Sequence, residues 1–266
     1  MERRSFIKNA SLATGMMVAA PYINKLHFTD DLSFQVRDLH VHLDNLTIEQ
    51  ALELAHKGNV KIGILEHPAS WAIKDDADLK KYIDGLRKYP VYIGLQPFHI
   101  GWSKPFSPEL LAQLDYVLMD AQMLPWDNGS YLQIWEFNTY IEDTDKFMNK
   151  YMEHMLNVLT NEPIHIFGWT MFLPVCIARD YYTLWTEKRM QQILDIAKKR
   201  NIAIEINDIA HTPHDKFILM AKEQGLKFTF GSDLSNNNVG KLAYCRSIAK
   251  KCNLKEEDFF IPARKI

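Results

Sequence analysis

The stretch Leu32-Ser33-Phe34-Gln35-Val36-Arg37-Asp38-Leu39-His40-Val41-His42 decides how the rest of the chain is read. Its first half alternates like a strand entering a core. Residues two apart on a strand share a face, so His40 and His42 are expected to point the same way. Two imidazoles on one strand face can grip one cation, the geometry that His-x-His serves in metal enzymes. A chain with ten histidines also has a fair chance of one such pair by accident, so the rest of the sequence has to weigh in.

Working outward, strand and helix patterns alternate to the C-terminus. Candidate strands are 34–39, 60–65, 91–95, 116–119, 164–167, 202–206 and 227–230, several of them continuous apolar runs suited to a parallel sheet buried on both faces. Candidate helices lie at 48–57, 78–88, 108–113, 144–159, 187–200, 213–224 and 239–251. Thr47 is placed to cap the first, and Gly58 and Gly225 to end the first and sixth. Seven consecutive βα units without a long linker predict one parallel α/β domain over 29–266, either a barrel or a doubly wound sheet.

Barrels carry their chemistry at the C-terminal ends of the strands. Those ends hold His40 and His42, Glu66 and His67, Gln96 and His99, Asp120 and Gln122, Trp169, Glu205 and Asn207, then Ser232, Asp233 and Ser235. The opposite ends show mostly Lys, Pro and Asn. That asymmetry marks one face as the working face.

Bulk composition limits the alternatives. The chain has 266 residues, 47% hydrophobic and 24% charged, with a formal net charge of -2. Such a balance excludes a disordered or fibrous chain and gives no electrostatic footprint for nucleic acid. Cys176, Cys245 and Cys252 form no disulfide framework. At the N-terminus, Arg3-Arg4-Ser5-Phe6-Ile7-Lys8 resembles the twin-arginine export signal. It is followed by a mildly apolar run, Ala10 to Ala20, too short to span a bilayer. The resemblance implies that 1–28 is a signal segment, that the export machinery is a partner, and that the mature protein is periplasmic or extracellular without a stable membrane anchor.

In order and spacing, the strand-end motifs resemble the PHP superfamily, the polymerase and histidinol phosphatase metal-dependent phosphoesterases. Asp38-Leu39-His40-Val41-His42 is similar to the first motif of that family and Ile64-Leu65-Glu66-His67 to the end of its second strand. Ala203-Ile204-Glu205-Ile206-Asn207 and Phe230-Gly231-Ser232-Asp233 are similar to its late strands. The resemblance implies a distorted (β/α)7 barrel and a metal-dependent hydrolase acting on phosphoesters. The chain departs from the pattern where Gln96, Gln122, Trp169 and Ser235 stand in place of a bridging Glu and three histidines. Neutral amides and an indole cannot build a trinuclear centre. What the resemblance leaves is one divalent ion, zinc or manganese, on His40, His42 and Asp233, with His67 or Glu66 to handle protons.

The remaining strand-end residues, Gln96, His99, Asp120, Gln122, Trp169, Glu205, Asn207 and Ser235, are the expected contacts of a small-molecule substrate, phosphorylated or sugar-like. All six tryptophans fall in connections after the second to fifth strands. They either line an aromatic mouth or form small cores beneath long loops. Asn236-Asn237-Asn238 is expected to cap the last helix, His154 to lie on the surface, and His165 to be structural. A barrel that binds a carbohydrate or metabolite without turning it over is the alternative function.

Overall fold

The computed structural model describes residues 32–234 and 236–265; the export-signal expectation for 1–28 falls outside the described residues, as does Ser235. Seven parallel strands close into a barrel: β1 (Val36–Val41), β2 (Val60–Glu66), β3 (Tyr92–Leu95), β4 (Tyr116–Met119), β7 (Ile166–Phe167), β8 (Ala203–Asn207) and β9 (Phe228–Gly231). Pairing of Phe230 with Asp38 joins the last strand to the first. The closure excludes the doubly wound sheet and makes the fold a distorted (β/α)7 barrel. Between β4 and β7 lies an antiparallel hairpin, β5 (Met123–Pro125) and β6 (Tyr131–Gln133), where the sequence suggested only a long loop.

Outer helices include α1 (Ile48–Lys57), α2 (Asp76–Arg87), α3 (Pro108–Leu111), α4 (Thr144–Asn161), α5 (Tyr181–Leu184), α6 (Glu187–Arg200), α7 (Asp215–Glu223) and α8 (Ala243–Lys251). Thr47 caps α1 through a reciprocal box with Gln50, satisfying two backbone donors that a helix start otherwise leaves unpaired. Gly225, at φ +77°, follows α7 as expected. Gly58 is right-handed at φ -85°, and the left-handed position belongs to Asn59. Asn236–Asn238 do not cap α8. That helix begins five residues later, after a left-handed Leu242, and Asn236 instead accepts a hydrogen bond from the amide of Asn238 within its own turn.

Strand alternation builds the barrel interior in layers. Leu39, Leu65, Tyr116, Leu118, Ile166 and Ala203 form an inner cluster, separate from the larger core between strands and helices. Phe260 packs against that cluster, and its amide donates to Phe228 O. Tyr116 is the largest filler. Its ring needs two glycines: a Cβ at Gly63 would lie 2.3 Å from the Tyr116 hydroxyl, and one at Gly94 2.8 Å from both Leu65 and Tyr116. The Tyr116 hydroxyl is not wasted, since it donates to Leu39 O at 2.8 Å. One alternation step above this layer, the same inward rows present His67, Gln96, Asp120, Glu205 and Asp233. The barrel is mostly apolar in its middle and polar at one mouth.

Gly94→Ala is expected to destabilise the fold by about 1–3 kcal/mol through overpacking. Gly85→Ala, in α2 with nothing within 4 Å of the added Cβ, should be neutral or slightly stabilising. Urea unfolding of both variants checks the contrast; equal midpoints would refute the tight inner layer.

Candidate metal centre

The centre begins with an irregularity. The β1–β2 register shifts between Asp38 and Val41, and such a shift re-aims side chains. Asp38 fixes the kink from beneath. Its buried carboxylate accepts from the amides of His40 (3.3 Å), Ser232 (2.9 Å) and Gly240 (3.1 Å), tying the ends of β1 and β9 to the turn before α8. Burial raises the Asp38 pKa to about 6, with those amides pulling the other way. His40 and His42 then both aim Nε2 at Asp233 Oδ1, at 3.2 and 3.4 Å.

These spacings suit a cation. Donors each about 2.1 Å from a tetrahedral zinc stand roughly 3.4 Å apart. One ligand atom from each of the three residues lies within 4.8 Å of the others, and all three residues are buried. The group can hold one metal ion.

Three neighbours orient the ligands. Glu205, with no exposed surface, accepts from His40 Nδ1 at 2.5 Å. That bond assigns the proton to Nδ1 and leaves the Nε2 lone pair facing Asp233, the arrangement that a carboxylate partner gives a metal-ligating histidine. Trp169 donates twice. Its amide bonds Glu205 Oε2 and its indole Nε1 bonds Asp233 Oδ2, both at 2.6 Å. Trp169 and Asp233 are both left-handed, at φ +48° and +51°, an uncommon state for such residues and one that clusters at functional sites. Asn207 donates to Glu205 Oε2 at 3.3 Å and accepts from Ala210 N, bracing the turn beyond β8. Burial, the largest influence on His40, lowers its pKa, but Asp233 and Glu205 outweigh it and hold the imidazole well above its ordinary value.

Two glycines clear the space. A Cβ at Gly231 would lie 2.0 Å from Glu205 Oε1 and 2.7 Å from His40 Cβ; one at Gly168 would lie 2.5 Å from Leu118. Neither glycine stood out in the sequence as a site residue.

The other expected residues divide by strand parity. His67 faces the mouth, its ring stacked 5.0 Å from His42. Its Nδ1 donates to Gln96 O at 2.9 Å, which makes Nε2 the basic nitrogen. Glu66, on the opposite face of β2, accepts from the His67 amide and lies near Tyr82 outside the barrel; it is not brought to the centre. Gln96 donates to Asp120 Oδ2 at 2.9 Å, and Asp120 Oδ1 accepts from the Gln122 amide at 3.0 Å. His99 stands at the rim, 5.1 Å from Tyr131. Trp102 and Trp185 are buried in the main core and Trp135 is buried apart from it, so loop packing accounts for them, whereas Trp71 is 60% exposed.

His154 is buried, contrary to expectation. On α4 it follows Tyr151 by three residues and precedes Val158 by four, so it shares their buried face. That spacing was the signal for its position.

No protein-family model and no curated protein matches the chain.

Burial holds the His154 pKa down at about 4, against the pull of Asp120. A histidine that is neutral when folded and protonated when unfolded costs stability as pH falls from about 6.5 towards 4. The wild type should therefore lose stability in that window with a slope steeper by up to about 1.4 kcal/mol per pH unit than His154→Gln. Urea midpoints measured across the window check this, and parallel slopes would refute it.

Proposed function

We propose that this protein is a hydrolase dependent on a single divalent metal, zinc or manganese, held by His40, His42 and Asp233. The observation that carries the proposal is the convergence of two Nε2 atoms on one Asp233 oxygen, at 3.2 and 3.4 Å, with each outer atom of the pair His40 and Asp233 already engaged by Glu205 or Trp169. A divalent ion there supplies Lewis acidity and lowers the pKa of bound water towards neutrality.

The chain's own residues supply the rest. Glu205 holds the His40 tautomer. The Trp169 indole fixes the Asp233 carboxylate by donating to Oδ2. His67, stacked on His42 with its proton fixed on Nδ1, is oriented to exchange a proton at Nε2 with the attacking water or the leaving group. The resemblance to the PHP superfamily supports a phosphoester as the bond cleaved, and the twin-arginine-like start supports export before the protein works.

Elemental mass spectrometry of the purified protein, after loading with zinc or manganese, should find close to one equivalent. His42→Ala and Asp233→Asn should lose it. Glu205→Gln should retain the fold and weaken metal affinity by about 10–100-fold, the usual cost of losing such a support. Hydrolysis of aryl phosphates should follow metal content across the series. A wild type that takes up neither metal would sink the proposal.

A further inference from the structure

Beside the centre, an aromatic array runs outward from His42. His67 lies 5.0 Å from His42, with Phe98 at 4.4 Å and Trp71 at 5.3 Å from His67. Trp71 and Phe98 are stacked at 6.4 Å and 27°. From Phe98 the chain of rings continues through His99 to Tyr131 on the hairpin. Trp71 and Tyr131 are 60% and 51% exposed. An exposed indole with a ring beside it offers a flat apolar wall next to a site of chemistry.

At the same end of the barrel, two buried amides lack partners. Gln96 and Gln122 have no exposed surface, yet Gln96 Oε1 and both side-chain polar atoms of Gln122 have no hydrogen-bond partner among the described residues. Gln96 faces the barrel axis by alternation along β3, and Gln122 begins the segment that leads into the hairpin bearing Tyr131. Leaving such an atom unpaired destabilises the fold. The unmet demand is mixed, two acceptors and one donor.

Charge narrows the occupant. No lysine or arginine is buried among the described residues, whereas Asp120, Glu205 and Asp233 are. Beyond the metal, an anion would find no cationic side chain to pair with. An ammonium would satisfy no donor, and Asp120 already accepts from Gln96 and Gln122. A purely apolar ring would leave the amides unpaired. Hydroxyls both donate and accept, and the C–H face of a saturated ring packs on an indole.

We propose that the mouth holds a neutral, hydroxyl-bearing saturated ring, a sugar or cyclic polyol, with its apolar face on Trp71 and Phe98 and its hydroxyls on Gln96 and Gln122. The ring is the part of the substrate beyond the cleaved group. What is done to it rests on the metal-hydrolase reading; its binding does not.

The test is fluorescence and calorimetric titration with methyl glycosides and myo-inositol, on metal-free and metal-loaded protein. Saturable binding of at least one neutral probe is expected in both forms. Trp71→Ala, at an exposed position that leaves the fold intact, should weaken it about tenfold, and Gln122→Leu by a similar factor. Binding of none of these probes, or of tetramethylammonium or inorganic phosphate in their place, would overturn the proposal. So would binding unchanged in both variants, which would assign the amides to internal water. A normal metal content with no sugar binding overturns this inference alone; sugar binding without any metal uptake overturns the hydrolase reading alone.

Discussion

One carboxylate–imidazole contact governs the mouth of this barrel. Glu205 and His40 meet at 2.5 Å with no exposed surface on either, and a second carboxylate, Asp233, sits against the other side of the same ring. Two ionised carboxylates around one neutral imidazole would be net negative, and each buried ion loses several kcal/mol of hydration. A proton or a metal ion at this point would offset that charge. The surrounding structure commits to that geometry. Gly231 and Gly168 leave room for Glu205, the left-handed Trp169 delivers an amide to it, and Asp38 pins the kink that aims His40. Buried charge of this kind is a poor source of stability, and its retention argues for use.

The barrel pays for this polar mouth with a dry interior below it. The inner cluster around Tyr116 is apolar apart from one hydroxyl, which is bonded. Strand alternation turns one row per strand inward, so three strands contribute first a packing residue and then a polar one: Leu65 then His67, Leu118 then Asp120, Ala203 then Glu205. Rigid packing one step below the centre holds the ligand spacing. A looser layer beneath the site would let donors drift by more than the tolerance of a coordination sphere.

Much of this was legible in the residues. Apolar runs located all seven barrel strands, and the polar residues at their C-terminal ends located the face. The pair His40 and His42 was legible from its spacing on one strand, whereas Asp233 joined it only through the resemblance of Phe230-Gly231-Ser232-Asp233 to a family motif. Glu66 shows a limit of another kind: alternation along β2 already set it opposite His67, yet a motif-led reading grouped the two. His154 was misplaced because its polarity was weighed above its spacing from Tyr151 and Val158. The hairpin was missed because strands of three residues carry no measurable period. The part played by Trp169 had no sequence signal at all, since nothing local marks an indole whose partners are 36 and 64 residues away.

That indole and the amide of Gln96 share a consequence for the number of ions. Both are N–H donors aimed at carboxylates, Trp169 at Asp233 Oδ2 and Gln96 at Asp120 Oδ2. An oxygen that accepts such a bond has less electron density and less room to offer a cation. A metal ion held at Asp233 would then be met by Oδ1, the oxygen that faces His40 and His42. Asp120 is turned to its own hydrogen bonds, with the Gln122 amide on its other oxygen. A multinuclear centre requires bridging carboxylates and further imidazoles, and the donors at this mouth occupy the oxygens that would bridge. The same two donors, which would disfavour a bridging ion, are themselves neutral and add no charge to the neighbouring surface. A preference for one ion and the neutrality of these two side chains would thus have one physical origin.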